Sequence, residues 1–178
     1  MSLVEAKLHL GVTSADDDDL ISTFIKAATG YLDGYSGILG RCLITQTWEL
    51  TLDRFPSSEV KIPIGPLQSI VSVKYDDADG IEQTVAPADY DADIVSADGW
   101  VLPIDVAWPS TYDAVNAVRI RFVAGYGAAA DVPAPLKVAI LLMVGHWYAN
   151  REAVGVGSLA ELPMGAAALL APYRRISI

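Results

Sequence analysis

Apolar positions change period twice along the chain, and the two changes divide it into three stretches. In the first, Leu3, Val4, Leu8 and Leu10 follow Ser2-x-x-Glu5 and precede Gly11, which predicts a short helix with a capping box at its start. Leu20, Ile21, Phe24, Ile25, Ala28, Tyr31, Leu32 and Tyr35 then recur at spacings of three and four, predicting a second helix. Thr13 or Ser14 can cap it, the acidic run at 16–19 sits where the helix dipole favours anions, and Gly37 and Gly40 end it.

From Ile44 the period becomes two. Ile44, Gln46, Trp48, Leu50 and Leu52 share one face of a half-buried strand, opposite Thr45, Thr47, Glu49 and Thr51. Val60, Ile62 and Ile64 repeat the alternation, as do Val71, Val73 and Tyr75. Asp79-Gly80 is a hairpin signal leading into 81–85. Tyr90, Ala92 and Ile94 predict another strand, and Val118, Ile120 and Phe122 one more, with Arg119 and Arg121 on its other face. Trp100 and Trp108 fall in loops. Six prolines between 56 and 109 mark where ladders stop and the chain turns.

After Gly125-Tyr126-Gly127 the helical period returns. Pro133 and Pro135 open a helix whose Leu136, Ala139, Ile140, Met143 and Trp147 line one face. It is apolar nearly all round from 138 to 144, so it belongs between the two N-terminal helices rather than at an edge. Gly155-Val156-Gly157 breaks the pattern before a last helical stretch at 165–170, Pro172 and the tail 173–178. The order helices, strands, helices predicts an α+β fold. Its N- and C-terminal helices (1–43 and 128–178) form a small bundle, and an antiparallel β unit (44–127) is inserted in the middle of one compact domain.

Composition narrows the function classes. With 52% apolar residues over 178, the chain can bury a core without cross-links, and Cys42, the single cysteine, has no partner for an internal disulfide. Charged or strongly polar residues interrupt every apolar run before the roughly 18 residues a membrane span needs, and the opening Met1-Ser2-Leu3-Val4-Glu5 lacks the pattern of a signal peptide. Net charge is −10, and residues 1–100 carry six basic against seventeen acidic residues. Eight acids and no base lie between 76 and 98. Such a surface repels phosphate and argues against tight nucleic-acid binding, while allowing a negative wall past which DNA slides.

Each motif with possible chemistry fails in its context. Gly125-Tyr126-Gly127-Ala128-Ala129-Ala130 has the spacing of a dinucleotide-binding turn, but Asp131-Val132-Pro133 separates it from the helix, and the preceding strand bears Arg119 and Arg121. The run 16–19 lacks the alternating ligands, central glycine and final glutamate of an EF-hand loop. His9 and His146 lie on different helices and Cys42 has no thiol neighbour, so no zinc set forms, and no nucleophile elbow is present. The expectation is therefore no catalytic residue, no metal and no cofactor. Trp48 and Trp147 read as core. The tail residues Tyr173, Arg174 and Arg175 combine types enriched in binding hot spots.

Several segments, taken in order, resemble a known family. They are Val4-Glu5-Ala6-Lys7-Leu8-His9-Leu10, Ile44-Thr45-Gln46-Thr47-Trp48-Glu49-Leu50, Pro66-Leu67-Gln68-Ser69-Ile70 before Val73-Lys74-Tyr75, and Pro87-Ala88-Asp89-Tyr90. Further on come Phe122-Val123-Ala124-Gly125-Tyr126-Gly127, Val132-Pro133, Ala139-Ile140-Leu141-Leu142, His146-Trp147-Tyr148-Ala149-Asn150-Arg151-Glu152-Ala153 and Leu169-Leu170-Ala171-Pro172-Tyr173-Arg174. Together they are similar to the head-to-tail connector, or adaptor, family of long-tailed phages, prophages and gene transfer agents.

The resemblance implies a structural virion protein at the head-tail junction, made in the bacterial host cytoplasm. It would form a ring, commonly dodecameric, between the portal and the stopper or tail completion protein. DNA would pass through that ring without specific binding, and no membrane is involved. By the same resemblance Tyr173, Arg174, Arg175, Ile176 and Ile178 would contact the portal. A ring needs two different patches that meet head to tail, and Arg119, Arg121 and Arg151 are the candidates to meet acids of a neighbour. Two alternatives stay open: another ring component of the junction, such as a stopper or tail completion protein, and a small ligand-binding domain with a pocket near Trp100 and Trp108.

Overall fold

The structure, a computed structural model, describes residues 1–96, 99–151 and 163–175. It is an α+β fold in which the chain divides into two compact units, one of Met1–Leu43 with Ala128–Ile178 and one of Ile44–Gly127.

The first unit is helical. Helix α1 (Leu3–Leu10) begins in the anticipated capping box, with the Ser2 hydroxyl accepting from the Glu5 amide and the Glu5 carboxylate accepting from the Ser2 amide, and Gly11 closes it. Helix α2 (Asp18–Leu32) starts later than its sequence pattern suggests, with Asp17 rather than Thr13 or Ser14 at its cap. Lys7 is the cause. Its ammonium donates to the Ser14 carbonyl at 2.7 Å and to the Asp18 carboxylate at 2.5 Å, which holds the intervening residues as a turn. The helix also ends sooner, at Leu32, because Asp33 leaves it to bridge Arg41 and to accept from the Leu43 amide. Tyr35 therefore lies beyond the helix.

Helix α3 (Ala134–Ala149) packs against α1, α2 and α4 (Met164–Leu170). That central position follows from its all-round apolar surface, which no single neighbour could cover. Leu136, Ala139, Ile140, Met143 and Val144 are buried. Trp147 is only half-buried, its ring tilted against Phe24 at 6.1 Å.

The second unit holds two sheets. The larger has the order β1 (Gln46–Leu52), β7 (Val118–Ala124), β3 (Leu67–Asp76), β4 (Glu82–Thr84), antiparallel throughout. The smaller has β2 (Val60–Lys61), β6 (Trp100–Pro103) and β5 (Tyr90–Asp93). Alternation on β1 and β7 is as the sequence indicates: Val118, Ile120, Phe122 and Ala124 are buried and pair with Leu52, Leu50, Trp48 and Gln46. Trp48 itself is half-buried.

Strand β3 departs from simple alternation. Its register against β7 shifts between Leu67 and Ser69 and again between Ile70 and Ser72. Each extra residue moves the side chains that follow to the opposite face. Leu67, Ile70 and Val73 thus share the core side, and Val71, expected beside Val73, is 54% exposed. The strand expected at 60–64 shrinks to Val60–Lys61, although Val60, Ile62 and Ile64 are all buried. Trp100, expected in a loop, sits on β6 opposite Lys61, whose ammonium lies 5.2 Å from the indole centroid. The Asp79-Gly80 turn is present, with the Asp77 carboxylate accepting from the Asp79 and Ile81 amides.

Candidate assembly interface

Charged side chains of the sheet unit sort by which face of β7 they occupy. Arg119 and Arg121 alternate with the buried residues and so stand on the side away from the core. Across the ladders, Arg119 faces Thr51 and Lys74, and Arg121 faces Glu49 and Ser72. Arg119 is fully engaged in its own chain. It holds Asp76 bidentately, Nη2 to Oδ1 at 2.5 Å and Nη1 to Oδ2 at 3.1 Å, and reaches Glu82 at 3.2 Å. Lys74 closes the cluster at 2.7 Å from Glu82. Arg121 is exposed and makes no ion pair among the described residues.

This cluster sets a pH dependence. The Arg119 guanidinium holds the Asp76 carboxyl below its ordinary range, and hydrogen bonding from Lys74, with its charge, does the same for Glu82. Carboxyls with lowered folded-state values stabilise the fold above the unfolded carboxylate range near pH 4, and that stabilisation is lost as pH falls through the lowered values. Urea midpoints are expected to fall on acidification from about pH 5 downward. Arg119→Met should flatten that acid limb.

Arg151 also has an internal partner. Its guanidinium lies 4.6 Å from the Tyr148 ring centroid and donates to Asp17 at 2.7 Å, and the Tyr148 hydroxyl donates to the same oxygen at 2.6 Å. The two donors, Tyr148 first, keep the Asp17 carboxyl low, and the contact ties the end of α3 to the start of α2. Of the three arginines named from sequence, Arg119 and Arg151 have partners within their own units, and Arg121 has no ion pair among the described residues.

The tail residues are ordered by the loop that follows α2. Arg41 Nε donates to the Tyr173 carbonyl at 2.8 Å, and the Arg175 amide donates to the Leu39 carbonyl at 3.0 Å. Arg174, between them, is extended and exposed. Ile176 and Ile178 lie outside the described residues, as do Asp98 and the Gly155-Val156-Gly157 break. The same loop carries Tyr35, 67% exposed, and follows Tyr31, 46% exposed. Sequence reasoning missed Arg41, and it assigned Tyr35 as well as Tyr31 to the helix, which holds for Tyr31 alone. Asp33, a poor helix former between them, was the available signal that the helix stops.

Two remaining sequence candidates are resolved by the backbone. Gly125 and Gly127 have φ of +129° and +119° beside an antiparallel sheet, and at Gly125 the main chain of residues 44–45 approaches too closely for a Cβ. A cleft of about 330 Å³ is lined by Tyr75, Val85, Pro103, Val106, Trp108 and Pro109 among others, and Trp100 is not part of it. Trp108 is stacked on Phe55, centroids 4.6 Å apart and planes within 4°, and its indole N–H donates to the Ser58 carbonyl. Among the described residues no group of three or more His, Cys, Asp or Glu is placed to hold a metal ion, and no helix is long and apolar enough to cross a membrane.

The molecule is thus an α+β protein that joins a helical unit, with tyrosines and arginines at one corner, to a sheet unit bearing an arginine-carboxylate cluster. The model of the phage gp6-like head-tail connector proteins matches residues 1–95, over half of the chain, and the chain belongs to that family. Solved structures extend the likeness of fold to the rest. A chain in the virion of a native gene transfer agent particle and one in the neck of an empty particle, computed with C6 symmetry, each align with a TM-score of 0.80 and 23% identity. Both alignments cover 100% of this chain and 91% of theirs. A chain in the neck of a native particle, computed with C12 symmetry, aligns with a TM-score of 0.66 and 22% identity over 99% and 89%. No curated protein matches.

Proposed function

We propose that this chain is a structural component of a virion's head-tail junction that closes into a ring, twelvefold in the particle, between the portal and the stopper or tail completion protein. The observation that carries the reading is the family match, joined to a fold shared over nearly the whole chain with chains of gene transfer agent particles, two of them in necks computed with ring symmetry. In this reading the chain acts through its surfaces and catalyses nothing. The acid excess of residues 1–100 suits a conduit that must let DNA pass without gripping it.

Arg121 is the arginine available to meet acids of a neighbouring copy, because Arg119 and Arg151 already have partners. Light scattering at high protein concentration, with negative-stain images of the same sample, tests the reading: closed rings with a central hole are expected, alone or on added portal rings. Arg121→Glu should stop ring closure and lower the melting temperature only slightly, through the like charge it sets opposite the exposed Glu49. Arg119→Glu should instead lower the melting temperature, since it places a third carboxylate beside Asp76 and Glu82. Normal rings from Arg121→Glu would remove Arg121 from the interface.

A further inference from the structure

We propose that the loop following α2 and the last described residues form one prearranged docking surface, with Tyr35 and Arg174 as its contacts, for an acidic face of the portal ring. This rests on the head-tail connector reading above and extends the portal contact from the tail alone to a loop about 130 residues earlier in the chain.

Backbone and side-chain hydrogen bonds knit three short segments into one corner of the helical unit. Within the loop, the Gly34 amide donates to the Arg41 carbonyl at 2.9 Å, the Ile38 amide to the Tyr31 carbonyl at 3.0 Å, and Asp33 forms a bridge with Arg41. The tail is then added on the other side, through Arg41 to the Tyr173 carbonyl and through the Arg175 amide to the Leu39 carbonyl. Gly40 permits the close approach. Its φ is +61°, and a Cβ there would lie 3.4 Å from the Arg175 Cβ.

The consequence is a defined presentation. Main-chain groups on both sides of Arg174 are fastened to the loop, which fixes the extended backbone from which its side chain projects. Arg174 is exposed, and Tyr35 stands out from the loop that fastens it. Tyr and Arg are the residue types that dominate binding hot spots, and holding them in place beforehand removes part of the ordering cost of association.

Charge selects the partner. Residues 31–41 and 173–175 contain Arg41, Arg174 and Arg175 against one acid, Asp33, on a chain whose net charge is −10. The Asp33 carboxylate already accepts from the Leu43 amide. A cationic, tyrosine-bearing corner on an otherwise acidic protein fits an acidic protein surface, with arginine-carboxylate pairs between tyrosine contacts.

The test uses the full chain and portal rings of the same particle, with co-sedimentation for binding, light scattering for self-assembly and circular dichroism for folding. Tyr35→Ala and Arg174→Glu are each expected to weaken capture by portal rings about tenfold or more, with ring formation and melting temperature unchanged. Arg174→Lys should restore most of the capture. Arg41→Gln, which releases the Tyr173 carbonyl without touching Arg174, should weaken it as well. Capture of Tyr35→Ala and Arg174→Glu at the wild-type level overturns the proposal and leaves the connector reading standing. Loss of ring closure by Arg174→Glu with portal capture intact also overturns it, and assigns the corner to contacts between copies. Failure of the wild-type chain to bind portal rings removes the reading on which the proposal rests.

Discussion

Gly125→Ala is expected to destabilise the sheet unit by roughly 3 kcal/mol, enough to remove most of the stability of a small fold. Two effects add. Gly125 has φ of +129°, a region that side-chain-bearing residues rarely adopt, so any Cβ there is strained before it meets a neighbour. The Cβ would also overlap the Ile44 carbonyl oxygen and come within 2.8 Å of the Thr45 nitrogen. Those are main-chain atoms at the start of β1, and the Thr45 amide is committed to the Gly127 carbonyl at 2.9 Å, so they cannot swing aside as a long side chain could. Equilibrium urea unfolding checks the loss. A change below about 0.5 kcal/mol, the ordinary range of a surface substitution, would show that the crossing relaxes at little cost.

Phe122→Ala is expected to cost about 3–5 kcal/mol. Phe122 is 1% exposed and lies mid-strand on β7, paired with Trp48 on one side and Ile70 on the other. Truncation therefore opens a cavity between three strands at once. Ile120, Val73 and Leu67, nearby in the ladders, are buried themselves and held by strand pairing, which limits collapse into the space. Phe122→Leu, which keeps most of the volume, should cost under about 1.5 kcal/mol. A Phe122→Ala loss as small as that of Phe122→Leu would mean that the site closes up. Comparing the two variants by urea denaturation separates volume from residue identity.

The helices and the alternating strands were legible because short-range physics is sufficient for them. Ser2 and Glu5 are three residues apart and cap α1 without help from elsewhere. On β7 the period of two puts Val118, Ile120 and Phe122 inward and leaves Arg119 and Arg121 outward, whatever the neighbouring strands are. The family resemblance was carried by segments of the same kind, in order along the chain, and the match over residues 1–95 agrees with it.

Other features depend on partners far away in the chain. The start of α2 moves to Asp18 because Lys7, eleven residues before it, takes the Ser14 carbonyl and the Asp18 carboxylate. Val71 turns outward because β3 is read against β7, some fifty residues later, with two register shifts that no periodicity within β3 announces. Three arginines of similar sequence context separate in the same way. Arg119 finds Asp76 forty-three residues away, Arg151 finds Asp17 at a separation of 134, and Arg121 has neither.

Local periodicity and capping thus determined most of the elements and the fold class, and the order of particular segments carried the family resemblance. Which charged groups are spent on the fold, and which stand ready for a partner, was set by contacts between distant segments, because an ion pair or hydrogen bond depends on distance in space. The anchoring of Tyr173 by Arg41, 132 residues apart, is of that second kind.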